Sequence, residues 1–199
     1  MSLTKPLYDP SELNAAVSIV KQRGVVALPF ERLFGLAADA SDAAAVARVV
    51  ATKRRSADEP IAVIVPDLEA VRRLTKSFGP LARRLANRYW PGPLTILLEA
   101  APGVPEPLIG RSGLIGVRIP GPSAAAELVK RTQLVLTATS ANLSGGVDAC
   151  SHEDIANLVG PDLVVKGSVP GPPGSTVVDA STERPVVIRS GIISLDEEK

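Results

Sequence analysis

Between Pro60 and Pro66 the chain runs Ile61-Ala62-Val63-Ile64-Val65 with no polar residue. A run this short and this apolar reads as a strand covered on both faces, because a strand with one wet face would alternate. Such a strand needs helices to cover it, and the sequence supplies them. Asp9-Pro10-Ser11-Glu12 opens a helix with Asp9 as cap and Pro10 in its first turn; Leu13, Ala16, Val17 and Val20 form its apolar stripe, and Gly24 ends it. Ser41 or Asp42 caps a second helix with Val46, Val49 and Val50 on its apolar side. Asp67 caps a short helix to Leu74, Pro80 opens one to about Tyr89, Pro122 one to about Arg131, and Ser151 caps the last. Between them Val25–Leu28, Leu94–Leu98, Ile115–Ile119, Leu134–Leu136, Leu163–Val165, Ser175–Val178 and Val186–Ile188 read as strands. The alternation predicts an α/β fold with a mixed sheet, in one domain spanning residues 1–199.

Composition agrees with a packed core. Hydrophobic residues make up 45% of the 199 residues and aromatics only 3%, so Val, Leu, Ile and Ala must fill the interior. No apolar run approaches the ~20 residues that cross a bilayer, and Met1–Pro6 lacks the apolar centre of a secretory signal. Cys150 is the one cysteine and His152 the one histidine, which excludes an internal disulfide and a Cys/His zinc set. The expectation is a cytoplasmic protein with no membrane contact and no structural metal. The 22 Lys+Arg and 21 Asp+Glu nearly cancel, yet nine bases and four acids lie between Lys53 and Arg88. That surplus fits either a solvated helix surface or a surface facing something anionic.

No phosphate-loop, dinucleotide or His-Glu-x-x-His motif is present, and no Ser sits in a Gly-x-Ser-x-Gly elbow. Cys150 and His152 are two residues apart in a polar loop, a spacing that suits ordinary loop residues as well as a nucleophile–base pair. More informative are polar groups at strand ends, where α/β folds place ligands. Lys53-Arg54-Arg55 closes the second helix, where cations also suit the helix dipole. Arg118 interrupts the apolar run Gly116–Pro120; a buried guanidinium needs an anionic partner, from the protein or from a ligand. Thr137–Gly146, including Ser140 and Asn142, offers hydroxyls, an amide and permissive glycines, and Pro172-Pro173-Gly174-Ser175-Thr176 repeats the theme. Arg189 ends the last strand. Together these groups point to a pocket for a small, multiply anionic ligand such as a nucleotide.

The landmarks Leu28-Pro29 through Gly35-Leu36, Lys53-x-Arg55, Tyr89-Trp90-Pro91-Gly92-Pro93-Leu94-Thr95, Val117-Arg118-Ile119-Pro120, Thr139-Ser140-Ala141-Asn142-Leu143-Ser144-Gly145, Ser175–Asp179 and Ile188-Arg189-x-Gly191 follow in order over about residues 10–191. In these the chain resembles the YrdC-like family, the short single-domain threonylcarbamoyl-AMP synthases. The resemblance implies a twisted mixed sheet flanked by helices around a concave, positively charged cavity. It implies synthesis of threonylcarbamoyl-AMP from L-threonine, bicarbonate and ATP, with pyrophosphate released and Mg2+ held through the ATP phosphates. It also implies partner proteins that pass the group to a tRNA adenosine beside the anticodon, and contact with tRNA or other RNA through the basic cavity. By the same resemblance Lys53 and Arg55 are catalytic and hold phosphates or carbamate, Asn142 and Arg189 bind the nucleotide, and Arg118, Ser140 and Ser175 bind the amino acid.

The chain departs from the family pattern Pro-Thr-Glu-Thr-x-Tyr-Gly-Leu, reading Pro29-Phe30-Glu31-Arg32-Leu33-Phe34-Gly35-Leu36. Phe30 replaces a hydroxyl of the amino-acid pocket with a bulky ring, Arg32 adds a charge beside it, and Glu59 puts an acid where the nucleotide should approach. Two alternatives follow: a divergent relative with another amino acid or carbamoyl acceptor, and a non-catalytic RNA-binding module. Balanced charge and few aromatics for base stacking weigh against the second.

Overall fold

The computed structural model describes residues 8–54, 59–155, 158 and 160–195. In chain order the elements are α1 (Pro10–Lys21), β1 (Val26–Pro29), β2 (Phe34–Ala37), α2 (Ala43–Lys53), β3 (Val63–Ile64), α3 (Leu68–Leu74), α4 (Pro80–Tyr89), β4 (Leu94–Glu99), α5 (Glu106–Ile109), β5 (Leu114–Arg118), α6 (Ala124–Thr132), β6 (Leu136–Thr137), β7 (Thr139–Ser140), β8 (Leu163–Val164), β9 (Thr176–Asp179) and β10 (Val186–Arg189). They form a four-stranded sheet, β7-β2-β1-β8, and a six-stranded sheet, β10-β9-β4-β5-β3-β6. Both are mixed: β1 runs antiparallel to β2 and parallel to β8, while β4 runs antiparallel to β5 and parallel to β9. Ala138 alone separates β6 from β7, so there the chain steps from one sheet into the other.

The helix starts follow from their caps. The Asp9 carboxylate accepts from the Ser11 N–H at 2.9 Å, and Asp42 and Asp67 each accept from an N–H three residues on at 2.8 Å. Ser41 instead donates to Asp39, which makes Asp42 the cap of α2. Of the stripe that the spacing predicts, Leu13, Ala16 and Val20 of α1 are buried and Val17 is half-buried against the same core.

Apolar runs without alternation are explained by two cores on opposite faces of the same strands. Val25 and Ala27 belong to one core while Val26 and Leu28 belong to the other, which also contains residues of α1 and α6. Likewise Val63 and Val65 face the first core and Ile64 the second. The ladder of β3 covers only Val63–Ile64, but the ends of the run are still paired: Ile61 N–H donates to the Pro107 carbonyl and Val65 N–H to that of Arg118.

One expectation changes and two details are added. The Ser151 cap forms, its hydroxyl accepting the Asp154 N–H while the Asp154 carboxylate accepts those of Cys150 and Ser151, and among the described residues the turn it opens is the 3-10 segment Glu153–Ile155. A strand at Phe34–Ala37 pairs with β1, although its Gly35 weakens the sequence signal. The strand at Val186–Arg189 forms, but as an edge with all four residues exposed. No helix among the described residues is long and apolar enough to cross a membrane.

Candidate active site

A cavity of about 630 Å3 opens where the ends of β1, β5, β7, β9 and β10 converge, a size suited to a small ligand. Its charged lining residues are Arg32, Arg118 and Arg189 together with Glu31, Glu59 and Asp148; Thr95, Ser140 and Ser175 add hydroxyls.

The floor is built around Arg118. It ends β5, where burial of its neighbours leaves its side chain 9% exposed. Its guanidinium carbon stands 5.4 Å from the centroid of the Phe30 ring, and Nη1 is 3.6 Å from Glu31 Oε2. Burial pushes the Arg118 pKa down; the Glu31 carboxylate opposes this and the charge of Arg189 adds to it. The group still keeps its proton, since guanidinium cannot lose it at working pH. Phe30 is 7% exposed and lies over Gly35, where any β-carbon would strike the ring.

One wall is the β7 loop. Lys53 ends α2 with 2% exposure, and its ammonium donates to the carbonyls of Ser140 and Asn142 at 2.7 and 2.9 Å and to Asn142 Oδ1 at 2.7 Å. The Ser140 hydroxyl donates to the same Oδ1 at 2.7 Å, and Asn142 Nδ2 donates to the Gly146 carbonyl at 2.8 Å. Lys53 and Asn142 thus shape the loop from behind, and Ser140 is the member of this group that lines the cavity. Arg55 lies outside the described residues.

The opposite wall joins the last two strands. Arg189 Nη2 donates to the Ser175 carbonyl and hydroxyl, both at 3.0 Å, and that hydroxyl lies 3.3 Å from Thr95 Oγ1. At the mouth Arg32 donates to the carbonyls of Pro172 and Pro173 at 3.2 and 3.3 Å, tying the β1–β2 turn to the loop before β9. Glu59 accepts from the Ser144 hydroxyl at 3.3 Å at the cavity edge.

The cavity therefore gathers Arg118, Ser140, Ser175 and Arg189, with Lys53 and Asn142 behind one wall. Sequence reasoning assigned no role to Glu31, Thr95 or Asp148; each lies in or near a motif, but its neighbours are distant in the chain. Cys150 and His152 face different partners: the thiol the Asp148 carbonyl, the imidazole the Gly167 carbonyl and Glu153. Much of the basic surplus, Arg72, Arg73, Lys76, Arg83, Arg84 and Arg88, is exposed on or beside α3 and α4, and none of it lines the cavity.

The Sua5/YciO/YrdC family model, described as telomere recombination, matches residues 18–191. The chain is 32% identical over 189 residues to a threonylcarbamoyl-AMP synthase of Pyrococcus abyssi, covering 94% of this chain and 56% of that protein. It is also 32% identical over 196 residues to a threonylcarbamoyl-AMP synthase of Bacillus subtilis, covering 95% of this chain and 56% of that protein. The chain thus spans about half the length of these curated relatives. The crystal structure of P. abyssi Sua5 complexed with L-threonine superposes with a TM-score of 0.88 at 31% identity, covering 95% of this chain and 56% of that one.

Proposed function

The chain belongs to the Sua5/YciO/YrdC family, and from that premise we propose that it makes threonylcarbamoyl-AMP from L-threonine, bicarbonate and ATP, releasing pyrophosphate. The observation that carries this reading is Arg118: a guanidinium buried on the cavity floor, stacked on Phe30, with its Nε unpartnered. Such a fork suits the carboxylate of a small amino acid. Ser140 and Ser175, on facing walls, would bind the rest of that substrate, and Arg189 the nucleotide, with Asn142 shaping the loop beside it from behind the wall. Arg55 would meet phosphates and carbamate, while Lys53, enclosed behind the wall, would hold the Ser140–Asn142 loop in the shape that receives them.

The chemistry asks for little covalent help. The neutral threonine amine adds to the carbon of CO2 and gives up a proton to form the carbamate (from bicarbonate a water leaves), and a carbamate oxygen then displaces pyrophosphate from the α-phosphorus as the bond to the bridging oxygen breaks. Alignment of the two substrates and cations beside the phosphoryl oxygens supply the acceleration. Among the described residues no group of three or more His, Cys, Asp and Glu converges. Glu31, Glu59 and Asp148 line the cavity from three separate segments. This donor set fits Mg2+ carried in on phosphate oxygens, with Glu59 and Asp148 as acids near its path. When bound, the ion neutralises charge on the leaving pyrophosphate. The adenylate would serve a cytoplasmic pathway in which partner proteins transfer the group to tRNA.

The test is pyrophosphate release from ATP and Mg2+, with threonine and bicarbonate supplied together and singly, and the adenylate identified by mass. Release that needs both substrates is expected. Nucleotide binding without any response to threonine would overturn the reading. A second reading, an enzyme for another amino acid, is favoured by one observation: the Phe30 ring fills the floor above Gly35 and offers no hydrogen bond there. A screen of amino acids in the same assay separates the two.

A further inference from the structure

Two atoms on the cavity floor are buried and lack any hydrogen-bond partner: Arg118 Nε and Glu31 Oε2. They belong to the same ion pair, yet the pair does not satisfy them. The closest approach recorded for it, Nη1 to Oε2, is 3.6 Å, longer than a good charge-assisted hydrogen bond. The two side chains are 9% and 12% exposed, so bulk water does not compensate them either. Glu31 is nonetheless firmly placed. It sits in the turn between β1 and β2, which is closed by the Phe30 N–H donating to the Leu33 carbonyl at 3.0 Å. Its other oxygen, Oε1, accepts the Gly121 N–H at 2.7 Å, three residues past Arg118. One carboxylate oxygen thus fixes the carboxyl group while the other lacks a hydrogen bond, in an ion pair whose two residues both line the cavity.

A cation and an anion that each keep an unmet hydrogen-bonding atom, within one ion pair at the cavity, are the negative image of a zwitterion. In an α-amino acid the ammonium nitrogen is two bonds from the carboxyl carbon, so neighbouring counter-charges meet both ends at once. We propose that Glu31 binds the α-ammonium of the amino-acid substrate while Arg118 binds its carboxylate. Glu31 then selects α-amino acids over simple carboxylates and holds the nitrogen at a fixed place on the floor. This assignment rests on the amino-acid reading of the cavity given above.

Equilibrium binding to the full chain tests it, with three pairs of probes: L-threonine against 3-hydroxybutanoate, L-serine against 3-hydroxypropanoate, and glycine against acetate. The members of each pair differ by the ammonium group. The native protein is expected to prefer at least one amino acid over its deaminated partner by about ten- to hundred-fold, the range for a buried charge-assisted hydrogen bond. Glu31→Gln keeps an oxygen for the Gly121 N–H, so its melting curve should stay close to native. In it the preference should fall to about two-fold or less, with affinity for the deaminated acid unchanged or higher. Glu31→Asp should recover part of the preference.

If Glu31 is merely the counter-ion of Arg118, the variant weakens both members of a pair equally, and the proposal is wrong. It is also wrong if the native protein prefers none of the three amino acids. Preference for an amino acid without pyrophosphate release would keep the clamp and remove the synthase reading instead.

Discussion

The ring of Phe30 occupies the space that any side chain at position 35 would need, so Phe30 and Gly35 are a matched pair. A methyl group at Gly35 must push a ring that is packed in the core and carries Arg118 on its face. Gly35→Ala should destabilise the protein by about 1–3 kcal/mol, the usual range for overpacking. In a Phe30→Thr background, itself destabilised by loss of a buried ring, Gly35→Ala should cost much less. Urea denaturation of the single and double variants measures the coupling; additive losses would show that the two positions are independent.

Phe30→Thr alone addresses the substrate. It opens the floor and restores a hydroxyl, so threonine should bind about ten- to hundred-fold more tightly. Threonine titration of the native protein and variant reads this directly. An unchanged affinity would mean that Phe30 does not limit the pocket.

Arg118→Lys keeps a positive charge beside Glu31 and loses the planar fork. Amino-acid affinity should drop about ten-fold or more while ATP affinity stays near native, because Lys cannot reproduce a bidentate contact. Calorimetric titration with each ligand separates the two effects. A parallel fall in both, with the fold intact, would place Arg118 at the nucleotide.

Lys53→Met removes the donor that joins Ser140 and Asn142. Their half-buried acceptors lose a charged partner, at a cost of about 1–3 kcal/mol. The loss should concentrate in the loop, so amide hydrogen exchange over residues 140–146 should quicken more than exchange in α1. Uniform quickening would show that Lys53 supports the whole fold instead.

Asp162 supplies a pH test. Its carboxyl is held below the usual range first by a hydrogen bond from Arg48, with a bond from the Val25 N–H also lowering it and burial opposing. A carboxyl with a depressed folded-state pKa stabilises the fold above its unfolded value, about 3.9. That contribution fades as pH falls through the folded value. Between about pH 4.5 and 2.5, native stability should fall more than that of Asp162→Asn; parallel curves would remove Asp162 from the acid response.

Local rules carried most of the fold. The Asp9, Asp42 and Asp67 caps act within three residues of themselves, and the run Ile61–Val65 is buried because one core lies on each side of it. Ser151 does cap a turn, its hydroxyl accepting the Asp154 N–H while the Asp154 carboxylate accepts that of Ser151, and among the described residues the turn is the 3-10 segment Glu153–Ile155. In the site, an arginine inside an apolar strand was legible as a group in need of an anion. The position of Glu31 was not, because it depends on Gly121, 90 residues along the chain. Lys53 read as a cation facing a ligand; its enclosure by Ser140 and Asn142 depends on the step from β6 to β7, which no local pattern encodes.

That step leaves the sheets almost no slack. One residue of chain reaches at most about 3.6 Å, and Ala138 is further tied by its N–H to the Ala62 carbonyl at 2.7 Å. Thr137, one residue before it, bridges back through its hydroxyl, donating to the Leu36 carbonyl of the other sheet and accepting the N–H of Ala38 just past that strand. A molecule gripping Ser140 therefore pulls on a taut tether rather than a loose loop. Occupancy of the cavity should be felt as tension in both sheets, and the halves of the protein should stiffen together when it fills.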